Sequence, residues 1–155
     1  MKQLIIPISS SFGEHAPQTP KGPPSEESNQ LSGKSLSDLP RRVMVVDDNV
    51  DAAQVLGAMM ETHGHDCRVV FDSTKALKVA QQYKPEYVFL DLGMPEVDGY
   101  ALCRQMRELP ELATTIFIAQ TGWSDQTFVD RAKAAGFHHH LVKPIALQEI
   151  KLIVT

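Results

Sequence analysis

The sequence predicts an α/β domain over residues 41–155, a parallel five-stranded sheet with helices on both faces. Three observations lead there. Short apolar runs rich in β-branched and aromatic residues alternate with stretches whose apolar residues recur at helical spacing. Gly, Pro and Asp stand between them, where turns and caps are needed. A polar residue follows each of the five runs, in keeping with a sheet whose chemistry gathers at the carboxyl ends of its strands.

The elements follow in order. Val43–Val46 is the first predicted strand. Ala52, Val55, Leu56, Met59 and Met60 then fall on one helical face, and Gly64 suits the left-handed residue that ends such a helix. Arg68–Phe71 is the second strand; Ser73 is expected to cap a helix with the weaker stripe Ala76, Leu77 and Ala80. Tyr87–Leu90 is the third strand, with Asp98 as N-cap of a helix carrying Leu102, Cys103, Met106 and Leu109. Thr115–Ala119 is the fourth; Ser124 is expected to cap a helix bearing Phe128, Ala132 and Ala135, ended by Gly136. His140–Val142 is the last strand, and Leu147, Ile150 and Val154 mark a short final helix. Each crossover is expected to be right-handed.

Residues 1–40 differ in kind. Six of the ten prolines lie there among Ser, Gly, Glu and Gln, a composition that cannot bury enough apolar surface to offset its ordering entropy. The segment is expected to be a disordered linker, with Leu4–Ile8 open between a lone strand and no structure. That run is too short for a leader segment, and Pro7 interrupts it. No stretch approaches the roughly 20 apolar residues of a membrane span. The formal net charge of -4 gives no footprint for nucleic acid or an anionic membrane. Cys67 and Cys103 have no metal-like spacing and read as small buried hydrophobes of a reducing compartment, so a cytoplasmic location is expected.

The polar residues at the strand ends carry the chemistry. Asp47-Asp48 follow the first run, Asp91 the third, Thr121 the fourth and Lys143-Pro144 the fifth. Folded as predicted, they converge on one edge of the sheet. Three carboxylates so close repel one another, and a divalent cation resolves the repulsion; an all-oxygen set without His or Cys suits magnesium better than zinc. A carboxylate at Asp91 can attack phosphorus directly to give an acyl phosphate. The Lys143 ammonium and Thr121 hydroxyl can then meet the phosphoryl oxygens, and Pro144 keeps the following helix from starting early.

Val-Val-Asp-Asp-Asn (45–49), Leu-Asp-Leu-Gly-Met-Pro-Glu-Val-Asp-Gly (90–99), Gln-Thr-Gly-Trp (120–123) and Leu-Val-Lys-Pro (141–144) together resemble the receiver family of two-component signalling, from about Arg42 to the end. The resemblance implies a flavodoxin-like (βα)5 fold with strand order 2-1-3-4-5 and Asp91 as phosphoacceptor. It implies magnesium held by Asp47, Asp48, Asp91 and the backbone carbonyl of Gly93, Lys143 paired with the phosphate, and Thr121 moving to bind it. Met94-Pro95 and Asp98-Gly99 would shape the loop before the third helix. The phosphodonor would be a sensor histidine kinase or a histidine phosphotransfer protein, with no nucleic-acid partner and no direct membrane contact. The last two motifs look like receivers attached to hybrid sensor kinases. No output domain fits after Thr155, so a phosphoacceptor module that catalyses only its own phosphorylation and slow dephosphorylation is expected. The family places an aromatic switch residue three before the lysine; here that position is His140, whose imidazole adds charge and hydrogen bonding. Only twelve residues follow Lys143, so the final helix is short and sets no expectation for dimerisation.

Plainer readings stand beside these. Asp47-Asp48 can serve as a helix cap, Thr121 as a turn residue, Lys143 as a surface lysine and Trp123 as a packed loop aromatic. His138-His139-His140 is not expected to hold zinc, because neighbours on a strand point to opposite faces. A magnesium-dependent phosphatase or phosphotransferase with an aspartate nucleophile is the rival from another class, but Gly93 stands where its second acidic residue belongs. A nucleotide-binding protein is disfavoured by the lack of a glycine-rich loop after the first strand.

Overall fold

A computed structural model describes residues 38–155. The expected linker, including Leu4–Ile8, lies outside the described residues except for 38–40.

Five strands form one parallel sheet in the order β2-β1-β3-β4-β5: β1 Arg42–Val46, β2 Asp66–Val70, β3 Tyr87–Asp91, β4 Ile116–Thr121 and β5 His139–Val142. The helices are α1 Val50–Thr62, α2 Ala76–Tyr83, α3 Gly99–Arg107, α4 Gln126–Ala135 and α5 Leu147–Ile153. This is the expected flavodoxin-like topology. The central strands are buried on both faces, which is why β1 reads as the unbroken run VMVV after Arg42. Met44, Val46, Val88, Leu90, Phe117 and Ala119 pack under α2, α3 and α4. Val43, Val45, Phe89 and Ile118 pack under α1 and α5. Among the described residues no helix is long and apolar enough to cross a membrane.

Several expectations are corrected. β2 starts at Asp66 and ends at Val70, because it pairs residue for residue with β1 from Arg42↔Asp66 to Val46↔Val70. Its outer position exposes Asp66 and Arg68, so apolar content alone understates its length. β4 runs on through Gln120 to Thr121, while Thr115 lies before it and donates its hydroxyl to the Pro85 carbonyl at 2.7 Å. Helix α1 is turned away from the predicted stripe: Ala53, Leu56, Gly57 and Met60 face the sheet and Val55 is 61% exposed. Gly57 allows that rotation, since a Cβ there would lie 2.7 Å from Val69 Cγ2. Asp72 and Asp125, not Ser73 and Ser124, accept the first free N–H groups, from Thr74 and Thr127. A 3-10 turn, Ser73–Lys75, precedes α2 and shifts its start. Gly136 (φ +103°) ends α4, and Gly64 (φ +85°) follows the last residues of α1, as expected.

Candidate functional site

Strands β1, β3 and β4 end side by side because their registers leave Val46, Leu90 and Ala119 in one row. The residues that follow meet at the same edge. Asp47 comes immediately after β1, Asp91 is the last residue of β3, Thr121 the last of β4, and Lys143 the first after β5. Thr121 therefore sits on its strand, whereas the strand predicted from sequence ends at Ala119, two residues before it. Its backbone carbonyl accepts the Lys143 N–H at 2.8 Å, which brings the lysine to the edge. The Lys143-Pro144 peptide bond is cis.

Asp47 is 1% exposed, and each of its carboxylate oxygens has a partner: Oδ1 accepts the Asn49 N–H at 3.0 Å and Oδ2 the Lys143 ammonium at 2.7 Å. Asp91 is also buried; its Oδ1 accepts the Gly93 N–H at 3.0 Å, and its Oδ2 lies 3.6 Å from Lys143 Nζ. Asp48 is exposed at the mouth. One carboxylate oxygen from each of Asp47, Asp48 and Asp91 lies within 4.8 Å of the others. Burial pushes the Asp91 carboxyl above the ordinary carboxylate range, and the neighbouring Asp47 charge adds to this. The Gly93 N–H and Lys143 pull the other way without cancelling it. Two buried carboxylates thus share one lysine, and the third projects over them. Such a set can take a further cation, and three hard oxygen donors fit magnesium.

The cap reading of Asp47-Asp48 is settled by Asn49, whose side-chain oxygen accepts the Ala52 N–H at 3.1 Å and begins α1. That leaves both aspartates turned to the edge. Asp98 does cap α3, accepting from Tyr100 N–H at 2.9 Å. Behind it Gly99 presses on the site: a Cβ would stand 2.8 Å from the Asp91 carbonyl oxygen.

Thr121 is buried, and its hydroxyl oxygen accepts the Trp123 N–H at 3.1 Å, while the indole itself is 69% exposed. His140 pairs with Ala119, so its side chain shares the α3–α4 face of the sheet with Thr121, one row below. Its Nε2 is buried without a hydrogen-bond partner, and burial lowers its pKa from the usual 6.5. The three consecutive histidines part company. His138 lies before β5, where its Nδ1 accepts the Phe117 N–H at 3.0 Å and its Nε2 lies 3.2 Å from Arg107. His139 is exposed. Two features were missed by sequence reasoning: the Asn49 cap, and the burial of the Gln120 amide, a residue that directly follows the predicted strand run and was read only as part of a motif.

Comparison with known proteins agrees with this geometry. The family described as response regulator receiver domain matches residues 43–155. An uncharacterized 14.6 kDa protein of Leptolyngbya boryana is 33% identical over 112 residues, 72% of this chain and 86% of that protein. The DNA-binding response regulator MtrA of Mycobacterium tuberculosis (strain H37Rv) is 29% identical over 110 residues, and this match spans 71% of the chain but only 47% of MtrA. A solved CheY-like response regulator receiver domain from Methylobacillus flagellatus superposes with a TM-score of 0.66 at 28% identity, covering 74% of this chain and 96% of that one.

Proposed function

The chain belongs to the response regulator receiver domain family, and we propose that residues 41–155 act as a phosphoacceptor in a two-component phosphorelay, taking a phosphoryl group from phosphohistidine onto Asp91. The observation that carries this reading is the buried Asp91 carboxylate, with Lys143 Nζ 3.6 Å away and the oxygens of Asp47 and Asp48 within 4.8 Å. Magnesium held by Asp47, Asp48, Asp91 and the Gly93 carbonyl would supply neutralising charge for the carboxylates and the incoming phosphoryl oxygens.

The rest is done by the chain's own side chains. An Asp91 oxygen forms the new bond to phosphorus while the phosphorus–nitrogen bond to the donor imidazole breaks, and the imidazole leaves with its electron pair and takes up a proton. The raised Asp91 pKa marks the cost of holding this nucleophile ionised next to Asp47. Lys143 lowers that cost and is placed to pair with the phosphoryl oxygens. The Thr121 hydroxyl, which only accepts from Trp123, keeps its own proton to donate to a phosphoryl oxygen. His140, on the same sheet face, would follow Thr121 inward as the switch residue. A sensor histidine kinase or histidine phosphotransfer protein is the proposed donor, in the cytoplasm.

Acetyl phosphate with magnesium tests the assignment. Mass spectrometry is expected to show one phosphoryl group per chain, absent in Asp91→Asn, whose amide keeps the shape but is a poor nucleophile. Undiminished labelling of that variant overturns the assignment, and release of many equivalents of phosphate per chain would indicate the rival phosphatase.

A further inference from the structure

Gln120 is 2% exposed, yet its Nε2 has no hydrogen-bond partner. It follows Ile118 on the face of β4 that meets α1 and α5, away from Thr121. A buried donor left unpaired forfeits a hydrogen bond's worth of stability, and an apolar side chain of similar size would avoid the loss. An incoming acceptor would recover it.

The amide also borders a cavity. Between α1 and the chain at Lys143–Ile145 lies a space of ≈ 520 Å³, lined by Ala52, Val55, Leu56, Met59 and Ile145 together with Gln120. Its size falls within the usual range of small-molecule sites, and its walls are almost wholly apolar. Lys143 also lines it, but its ammonium is engaged at the carboxylate cluster, 2.7 Å from Asp47 and 3.6 Å from Asp91, and Asp51 in the lining disfavours an anion in this space. Gln120 is one of the lining residues, and the terminal torsion of a glutamine is soft, so its amide can turn toward this space.

We propose that this cavity binds a small, neutral, largely apolar molecule through a carbonyl oxygen that accepts a hydrogen bond from Gln120 Nε2. A small molecule is the occupant because the donor lies below the surface and is reached only by a group that enters the cavity. The site is separate from the carboxylate cluster and does not rest on the phosphoacceptor reading, although the two share Lys143 as a wall.

Acetophenone and ethylbenzene have the same framework and differ by the carbonyl, so they serve as probes. The full chain is titrated with each while the Gln120 side-chain amide and the methyl groups of Val55, Leu56, Met59 and Ile145 are followed by NMR. Acetophenone is expected to shift these signals saturably. In Gln120→Leu the ratio of the two affinities should move by roughly tenfold toward ethylbenzene, the size of one hydrogen bond. An unchanged ratio, no saturable binding, or shifts that map elsewhere overturns the proposal. Val55→Glu, at an exposed position that leaves the fold alone, places a charge in the mouth and should abolish binding of both probes; binding that survives it also overturns the proposal, even if Gln120→Leu fails to fold.

Discussion

Gly99→Ala should cost stability and phosphoacceptor activity together, even though it places a better helix former at the start of α3. The gain is bounded: alanine is favoured over glycine by at most about 1 kcal/mol inside a helix, and by less in the first turn. Against it, the new Cβ would stand 2.8 Å from the Asp91 carbonyl oxygen and 3.2 Å from Leu92 Cα and Cδ2. Two of those three atoms are backbone and yield poorly, because the Leu92 N–H is held by the Gln120 carbonyl at 2.9 Å. Overpacking of this kind costs about 1–3 kcal/mol. The clash wins, and a net loss of about 1–2 kcal/mol is expected, lowering the melting temperature by roughly 5 °C or more. Any relief comes from moving Asp91, so labelling by acetyl phosphate should slow as well. Gly122→Ala is the control: nothing lies within 4 Å of its would-be Cβ, and its stability should stay within about 0.5 kcal/mol of the parent. Urea and thermal denaturation of the two variants, with labelling rates, decide the matter. A Gly99→Ala protein as stable and as quickly labelled as the parent would refute the reasoning.

The other predictions concern caps, metal and histidines. Asn49→Ala removes the acceptor for Ala52 N–H and should cost about 1 kcal/mol by urea denaturation, while Asp48→Ala leaves stability nearly unchanged. Calorimetric titration with magnesium should weaken markedly in Asp48→Ala; equal affinity there removes Asp48 from the metal site. Burial, with Arg107 beside it, lowers the His138 pKa, so the folded state resists protonation while the unfolded chain takes a proton near pH 6.5. The His138 contribution to stability is therefore present above pH 6.5 and lost as pH falls through the folded pKa; His138→Gln should flatten the stability difference between pH 7.5 and 5.5, and an unaltered difference would sink the idea. His140 should titrate below 6.5 by NMR and lower still with the phosphate mimic beryllofluoride, since an inward ring loses more water; the same pKa in both states shows that it is not the switch.

The parallel sheet and the edge where its polar residues gather were legible because both rest on local patterns: apolar runs at the right lengths and acids or a lysine directly after them. Details set by pairing partners were not legible. β2 looked short because its outer face carries Asp66 and Arg68, and only registration against β1 reveals where it starts. Val55 looked like core because helical spacing gives a face but not its rotation, which Gly57 against Val69 decides. Serines were expected as caps where aspartates one position away do the work, a distinction that depends on the turn before each helix. In the site the residue types could be named in advance, but not that Lys143 would lie nearer Asp47 than Asp91. Nor could spacing show that the His138 ring would stand in for a backbone acceptor of Phe117 N–H.

Asp47 and Lys143 are 96 residues apart, and their contact closes the polar edge. During synthesis the chain emerges acid first. A nascent segment reaching only through β3 already holds Asp47, Asp48 and Asp91 without Lys143, the lysine that meets Asp47 and Asp91, and it lacks the Thr121 hydroxyl. The competent arrangement therefore arrives with the last strand. Until β5 has docked on β4, repulsion among the acids loosens the very loops that a donor would have to engage. If Asp91 is the phosphoacceptor proposed above, a half-made or truncated chain is poorly suited to take phosphoryl groups meant for the finished domain, and competence to react reports on completion of the fold.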